Sequence, residues 1–185
     1  MTERRLHLTP EDRRSSREHY VPFDVPADAE GVEIVIDYPP SDATIDLGLF
    51  APDEFRGYSG SARRRVAVTP ERATPGYIPG ELAAGTWHVY LGLHRIAEDG
   101  VEVALKTAIG AAEVEHSPAP PPVPEPPPAR RVPAADGRRW LRGDLHAHTH
   151  HSDGRMSVAE LAASARANGL DFLAITDHNT VSHHA

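Results

Sequence analysis

The stretch VEIVIDY, Val32 to Tyr38, alternates apolar and polar or second-face positions with a period of two, and its reading decides the fold of the first part of the chain. On an extended backbone Val32, Ile34, Ile36 and Tyr38 share one face. The same period recurs in TIDLGLF (Ile45, Leu47, Leu49), in GTWHVYLG (Trp87, Val89, Leu91) and in VEVALKTAIG (Val101, Val103, Leu105, Ile109). Each reads as a half-buried strand. Turn-rich pieces, PPSD, TPGYIPG and AEDG, separate them, and no ten-residue helical pattern intervenes. An antiparallel β-sandwich is therefore expected for residues 20–116, with Ile34, Ile36, Leu47, Trp87, Val89 and Val103 in its core. Residues 1–19 read as a charged N-terminal segment outside it.

Nine of the 18 prolines lie between Pro118 and Pro133, and a run of that kind favours extended polyproline II with few donors for a sheet. Residues 117–137 are expected to be a Pro-rich linker. The whole chain has 185 residues and carries 19 Lys and Arg against 27 Asp and Glu. A net charge of -8 argues against nucleic acid or an anionic membrane surface as partner. Cysteine is absent, so a bound metal would have to use imidazole and carboxylate. No apolar run approaches the roughly 18 residues of a membrane span, and the charged start lacks a signal-like apolar core; a cytoplasmic protein is expected.

After the linker the pattern changes. WLRGDLHAH reads as a strand, SVAELAASARAN as a helix and LDFLAIT as a second strand, which together make a βαβ unit. Ser157 and Glu160 have capping-box spacing, Val158, Leu161, Ala162 and Ala165 form one apolar stripe, and Gly169 can close the helix.

The first of these strands runs into GDLHAHTHHSDG, Gly143 to Gly154, with four histidines and two aspartates in twelve residues. Asp144, His146 and His148 alternate onto one side of the strand, and two imidazoles at i and i+2 can chelate one cation. Parallel pairing across a crossover helix would bring the end of LDFLAIT, followed by Asp177 and His178, to the same sheet edge. His146, His148, Asp153 and His178 then converge, where ligand sites of α/β folds gather. Asp144 is equally readable as a carboxylate behind a ligand histidine or as a strand-edge acid. His150 and His151 alternate away or lie in a loop, and His183 and His184 read as solvated. The three arginines of GYSGSARRRV read as a solvated basic loop rather than an anion cradle, and Trp87 as core rather than a sugar platform.

GDLHAHTHHSDG and FLAITDHNT together resemble the first two motifs of the PHP (polymerase and histidinol phosphatase) superfamily of metallohydrolases. The preceding segment with PGYIPGELAAGTWHVYLG resembles the N-terminal part of the CehA/McbA family within it. The resemblance implies that residues 138–185 are the first βαβ part of an α/β PHP-type barrel, a partial domain whose later motifs would follow. It implies that His146 and His148 bind one divalent metal ion (Zn, Mn or Fe), that Asp153 and His178 serve a neighbouring one, and that Asp177 orients a ligand or binds directly. The implied activity is metal-dependent hydrolysis of a small-molecule phosphoester or related ester, with only part of the site on this chain and with self-association through an incomplete barrel edge. No residue is singled out as acid or base. The alternative from another class is a non-catalytic β-sandwich binding or assembly module with an inactive metallohydrolase stub. Serine or cysteine nucleophiles are disfavoured, since there is no cysteine and no GxSxG elbow.

Overall fold

The computed structural model describes residues 1–114, 119–128, 134–135 and 137–184, and it divides into two compact units. One comprises Met1–Glu115 with Asn179–Ala185; the other is His116–His178.

The first unit is built from eight strands: β1 (Thr2–Leu8), β2 (Glu18–Val25), β3 (Val32–Asp37), β4 (Ala43–Phe50), β5 (Phe55–Gly60), β6 (Arg65–Val68), β7 (Gly85–Ile96) and β8 (Val101–Ile109). A short helix, α1 (Pro10–Ser15), joins β1 to β2. The strands form two four-stranded antiparallel sheets, ordered β1-β8-β3-β6 and β2-β7-β4-β5. One continuous apolar cluster holds both sheets, because each contributes alternate side chains to it. Ile34, Leu47, Trp87, Val89 and Val103 are fully buried there and Ile36 is 1% exposed. Burial of each such side chain is worth about 1.5–3 kcal/mol. Two polar groups in this interior find partners: Trp87 Nε1 donates to Ala83 O at 2.7 Å, and the Tyr38 hydroxyl accepts from Ile45 N at 3.1 Å.

The sheets begin earlier than residue 20. Thr2–Leu8 pairs along β8, with Leu6 opposite Val103, and Leu8 is buried. The strand was hidden in the sequence because it is an edge whose exposed positions carry charge, with Glu3 3.8 Å from Lys106 and His7 2.6 Å from Glu102. Helix α1 starts at a capping box in which Thr9 and Asp12 exchange hydrogen bonds, with Pro10 in its first turn. The arginine-rich loop is tied to the sheet: Arg64 lies 4.0 Å over the Tyr38 ring, and Arg65 pairs with Glu33 at 2.6 Å. Thr180 and Ser182 of the last segment bind Gly76 of this unit, Thr180 Oγ1 donating to its carbonyl and its N–H donating to Ser182 Oγ.

The second unit contains β9 (Gly143–Ala147), α2 (Val158–Ala167) and β10 (Phe172–Ile175), with β10 parallel to β9. The α/β barrel part expected here is corrected by the structure. The described chain is mostly antiparallel β, the only helices are α1, α2 and a 3-10 turn at Ser182–His184, and the parallel sheet has two strands. A barrel layer requires helices packed over a wider sheet; α2 buries none of its residues, while Leu145 is 72% and Phe172 41% exposed. Within the expected linker, residues 117–118, 129–133 and 136 lie outside the described residues, as does the boundary at 116. Residues 119–128 form neither helix nor strand, and Arg166 Nε donates to Pro124 O at 2.8 Å.

No helix is long and apolar enough to cross a membrane among the described residues.

Candidate metal centre

Parallel pairing places Phe172 opposite Gly143, Leu173 opposite Asp144 and Ile175 opposite Ala147, and Thr176 N closes the ladder on Ala147 O at 2.8 Å. The two strands therefore end together, and the residues that follow them, His148 and His178, meet with ring centroids 4.4 Å apart at 85°. A tight loop brings the third group. Ser152 N and Gly154 N both donate to Thr149 O, at 3.1 and 2.9 Å, and this turns Asp153 back towards His148.

Gly154 is required for that turn by space, not by backbone torsion. A Cβ on it would stand 2.2 Å from His148 O and 2.4 Å from His148 C. Asp177 holds the loop from the other strand. Its Oδ1 accepts from Thr149 N at 2.7 Å and from Ser152 Oγ at 2.6 Å, and its Oδ2 accepts from Thr149 Oγ1 at 2.6 Å. Thr149 and Ser152 are buried, so these bonds satisfy groups that water does not reach.

One donor atom each from His148, Asp153 and His178 lies within 4.8 Å of the others, with Asp153 and His178 exposed and His148 half-buried. His148 Nδ1 is 2.6 Å from Asp153 Oδ1, and His178 Nε2 is 3.6 Å from Asp153 Oδ2. The His148 hydrogen bond, aided by the nearby His148 and His178 rings, holds the Asp153 carboxyl below its ordinary pKa, so it is ionised at neutral pH. As an ionised acceptor it places the proton of a neutral His148 on Nδ1 and leaves Nε2 with a lone pair. That lone pair faces His146, whose Nε2 is 2.9 Å from His148 Nε2.

Of the residues singled out from sequence, His148, Asp153 and His178 form one group, and His146 adjoins it through His148. Asp144 points elsewhere: its Oδ1 accepts from the backbone N of His146 at 2.9 Å. Asp177 orients the loop through Thr149 and Ser152. His150 N is taken up by Met156 O at 2.8 Å, and His183 and His184 belong to the other unit. Sequence reading missed Thr149, Ser152 and the spatial role of Gly154. Only the glycine carried a signal, as the last residue of SDG.

The donor set is imidazole nitrogen and carboxylate oxygen without thiolate, which suits Zn, Mn or Fe. Side-chain exposures of 58% for His178 and 59% for Asp153 leave room for water or a small ligand to complete the coordination. No family model matches the chain, and neither does any curated protein.

Proposed function

We propose that the chain supplies part of the centre of a metal-dependent hydrolase of the PHP kind, acting on a small-molecule phosphoester or related ester. The observation that carries the reading is the convergence of His148, Asp153 and His178 from two strand ends and one loop, with donor atoms within 4.8 Å. A divalent cation bound there supplies Lewis acidity, towards an ester oxygen and towards water.

The chain's own residues do the positioning. Asp153 fixes the His148 tautomer so that Nε2 is the nitrogen presented alongside His146 Nε2. Asp177 immobilises Thr149 and Ser152, and with them the loop that carries Asp153. Keeping Asp153 ionised gives the group one negative charge against the cation.

Calorimetric titration of Zn²⁺ or Mn²⁺ into the wild type and into the His146→Ala, His148→Ala double variant tests the site, with hydrolysis of bis(p-nitrophenyl) phosphate followed on the same samples. Saturable binding, weakened at least tenfold by the double substitution, is expected, and any metal-dependent hydrolysis should fall with it. Equal metal binding by both proteins would show a merely metal-sticky tract. Hydrolysis that persists in the double variant would sink the assignment.

A further inference from the structure

Along one edge of the β unit the two sheets leave a space between them. There β1 and β2, each an end strand of its sheet, border a cavity of about 460 Å³ whose lining includes Thr2, Arg4, Val21, Phe23, Leu105 and Thr107. Register fixes which residues face it. On one sheet Thr2 lies opposite Thr107, Arg4 opposite Leu105 and Leu6 opposite Val103; on the other, Val21 lies opposite Val89 and Phe23 opposite Trp87. Leu105, Val103, Val89 and Trp87 are core residues, so their cross-strand partners, Arg4 among them, lie on the inner faces. Val21, Phe23 and Ile109 pack against the core yet are only partly buried, which leaves apolar surface at the cavity.

Arg4 is the exception in that lining. Its neighbour Arg5, on the outer face, is 3.4 Å from Glu3, whereas Arg4 has no hydrogen bond or ion pair with any described residue. It is the only lysine or arginine lining the cavity, and it is exposed, so a ligand can reach it. The one acid of the lining, Asp24, lies opposite Thr86 on the outer side of β2, where its Oδ1 accepts from the Thr86 hydroxyl at 2.8 Å. An inward charge on an edge strand can serve only to block pairing with another chain. This one stands beside an apolar cavity whose volume falls in the range of small-ligand sites, about 300–1,000 Å³.

We propose that the cavity binds a medium-chain fatty acid anion, with its carboxylate on Arg4 and the Thr2 and Thr107 hydroxyls and its chain over Val21, Phe23, Leu105 and Ile109. Charge selects the head group. One planar guanidinium with paired donors matches one carboxylate, whereas a phosphomonoester or a polyanion would find no second cation in the lining. The apolar lining selects the tail: Phe23 is its only ring, with no second one to sandwich an aryl acid. The volume sets the length, since a cavity near the lower end of the small-ligand range suits a chain of about ten carbons rather than a membrane lipid. The net charge of -8 also opposes an anionic bilayer as the source. The proposal concerns the unit that does not hold the candidate metal centre and is independent of it.

Isothermal titration of the full chain with sodium decanoate below its micelle concentration tests it, with decanol and decylammonium as the neutral and cationic comparisons. Saturable heat with decanoate is expected, with both comparisons at least tenfold weaker. Arg4→Gln should weaken decanoate at least tenfold, and Arg5→Gln, on the outer face of the same strand, should not. Arg4 is an exposed edge-strand residue without partners, so Arg4→Gln should keep the wild-type melting temperature, and loss of binding there is not loss of fold. No saturable heat at millimolar decanoate would overturn the proposal, as would equal losses in the two arginine variants or tighter binding of decylammonium. Self-association of Arg4→Gln in sedimentation, with no decanoate binding by the wild type, would also overturn it and assign Arg4 to guarding the edge.

Discussion

His148 Nδ1 lies 2.6 Å from Asp153 Oδ1, and this bond orients an imidazole and lowers a carboxyl pKa together. Asp153 is largely exposed, so screening leaves the pair little weight in overall stability. The sign is nevertheless determined. A depressed folded pKa means that the contribution is present above the unfolded value of about 3.9 and is lost as pH falls through the lower, folded value. In the metal-free protein, the carboxyl carbon of Asp153 should titrate below its ordinary midpoint by NMR, and His148→Ala should return it upward. An unshifted midpoint in the wild type would remove the pairing.

Asp177 accepts three hydrogen bonds from buried or backbone groups of the Thr149–Ser152 turn. Asp177→Ala orphans them, and each unsatisfied buried group costs about 1–3 kcal/mol. Amide exchange over residues 149–154 should accelerate more than anywhere in the β sheets, and Zn²⁺ affinity should fall tenfold or more although Asp177 is outside the donor group. Exchange unchanged in that loop would mean that other contacts hold it.

Ser157 caps α2 by accepting from Glu160 N at 3.2 Å, while Glu160 Oε2 accepts from Ser157 N at 2.8 Å. Ser157→Ala should cost the helix about 1 kcal/mol. The two Ser157 donors lower the Glu160 pKa, so its half of the box is intact above the unfolded value of about 4.3 and fails as pH falls through the depressed one. Backbone shifts of Ser157–Leu161 followed by NMR should therefore show a transition below pH 4.3 that is absent in Glu160→Gln.

Much of this was legible where one physical signal dominated. In β3, β4, β7 and β8 the period-two faces coincide with burial, so Ile34, Leu47, Val89 and Val103 could be placed inside from the sequence. Strands β1 and β2 escaped because they are edges: Arg4, Arg5, Glu18 and Pro22 break the apolar alternation where solvent or a missing neighbour tolerates them. For the site, shared strand ends follow from the crossover, and His148 and His178 do meet. Alternation on β9 could not say that Asp144 would turn to its own backbone, because an aspartate two residues before an N–H has a local partner always in reach. The barrel was inferred from resemblance, and a two-stranded parallel pair with an exposed helix does not make one.

Trp87 is fully buried between the sheets with its indole N–H on Ala83 O. Trp87→Ala should destabilise the β unit by about 3–5 kcal/mol through the cavity and the lost burial. Because the candidate centre lies in the other unit, Zn²⁺ binding by His148, Asp153 and His178 should survive at temperatures where this variant is still folded. A melt indistinguishable from wild type would contradict the core position of the indole.

Two glycines near the centre predict opposite outcomes for the same substitution. A Cβ on Gly154 meets backbone, His148 O at 2.2 Å and Thr149 N at 2.8 Å, and backbone atoms held in a hydrogen-bonded turn cannot swing aside. A Cβ on Gly143 meets the Phe172 ring at 2.3–2.4 Å, but that ring is 41% exposed and free to rotate outward. Gly154→Ala should therefore open the loop, carry Asp153 away from His148 and reduce Zn²⁺ affinity by more than tenfold. Gly143→Ala should keep affinity within about threefold of wild type, since a ring rotation costs on the order of the 0.5–1.5 kcal/mol of an off-rotamer side chain at most. Calorimetry on the two variants decides it: equal losses would mean that β9 itself, rather than the turn closed by Gly154, sets the geometry of the group.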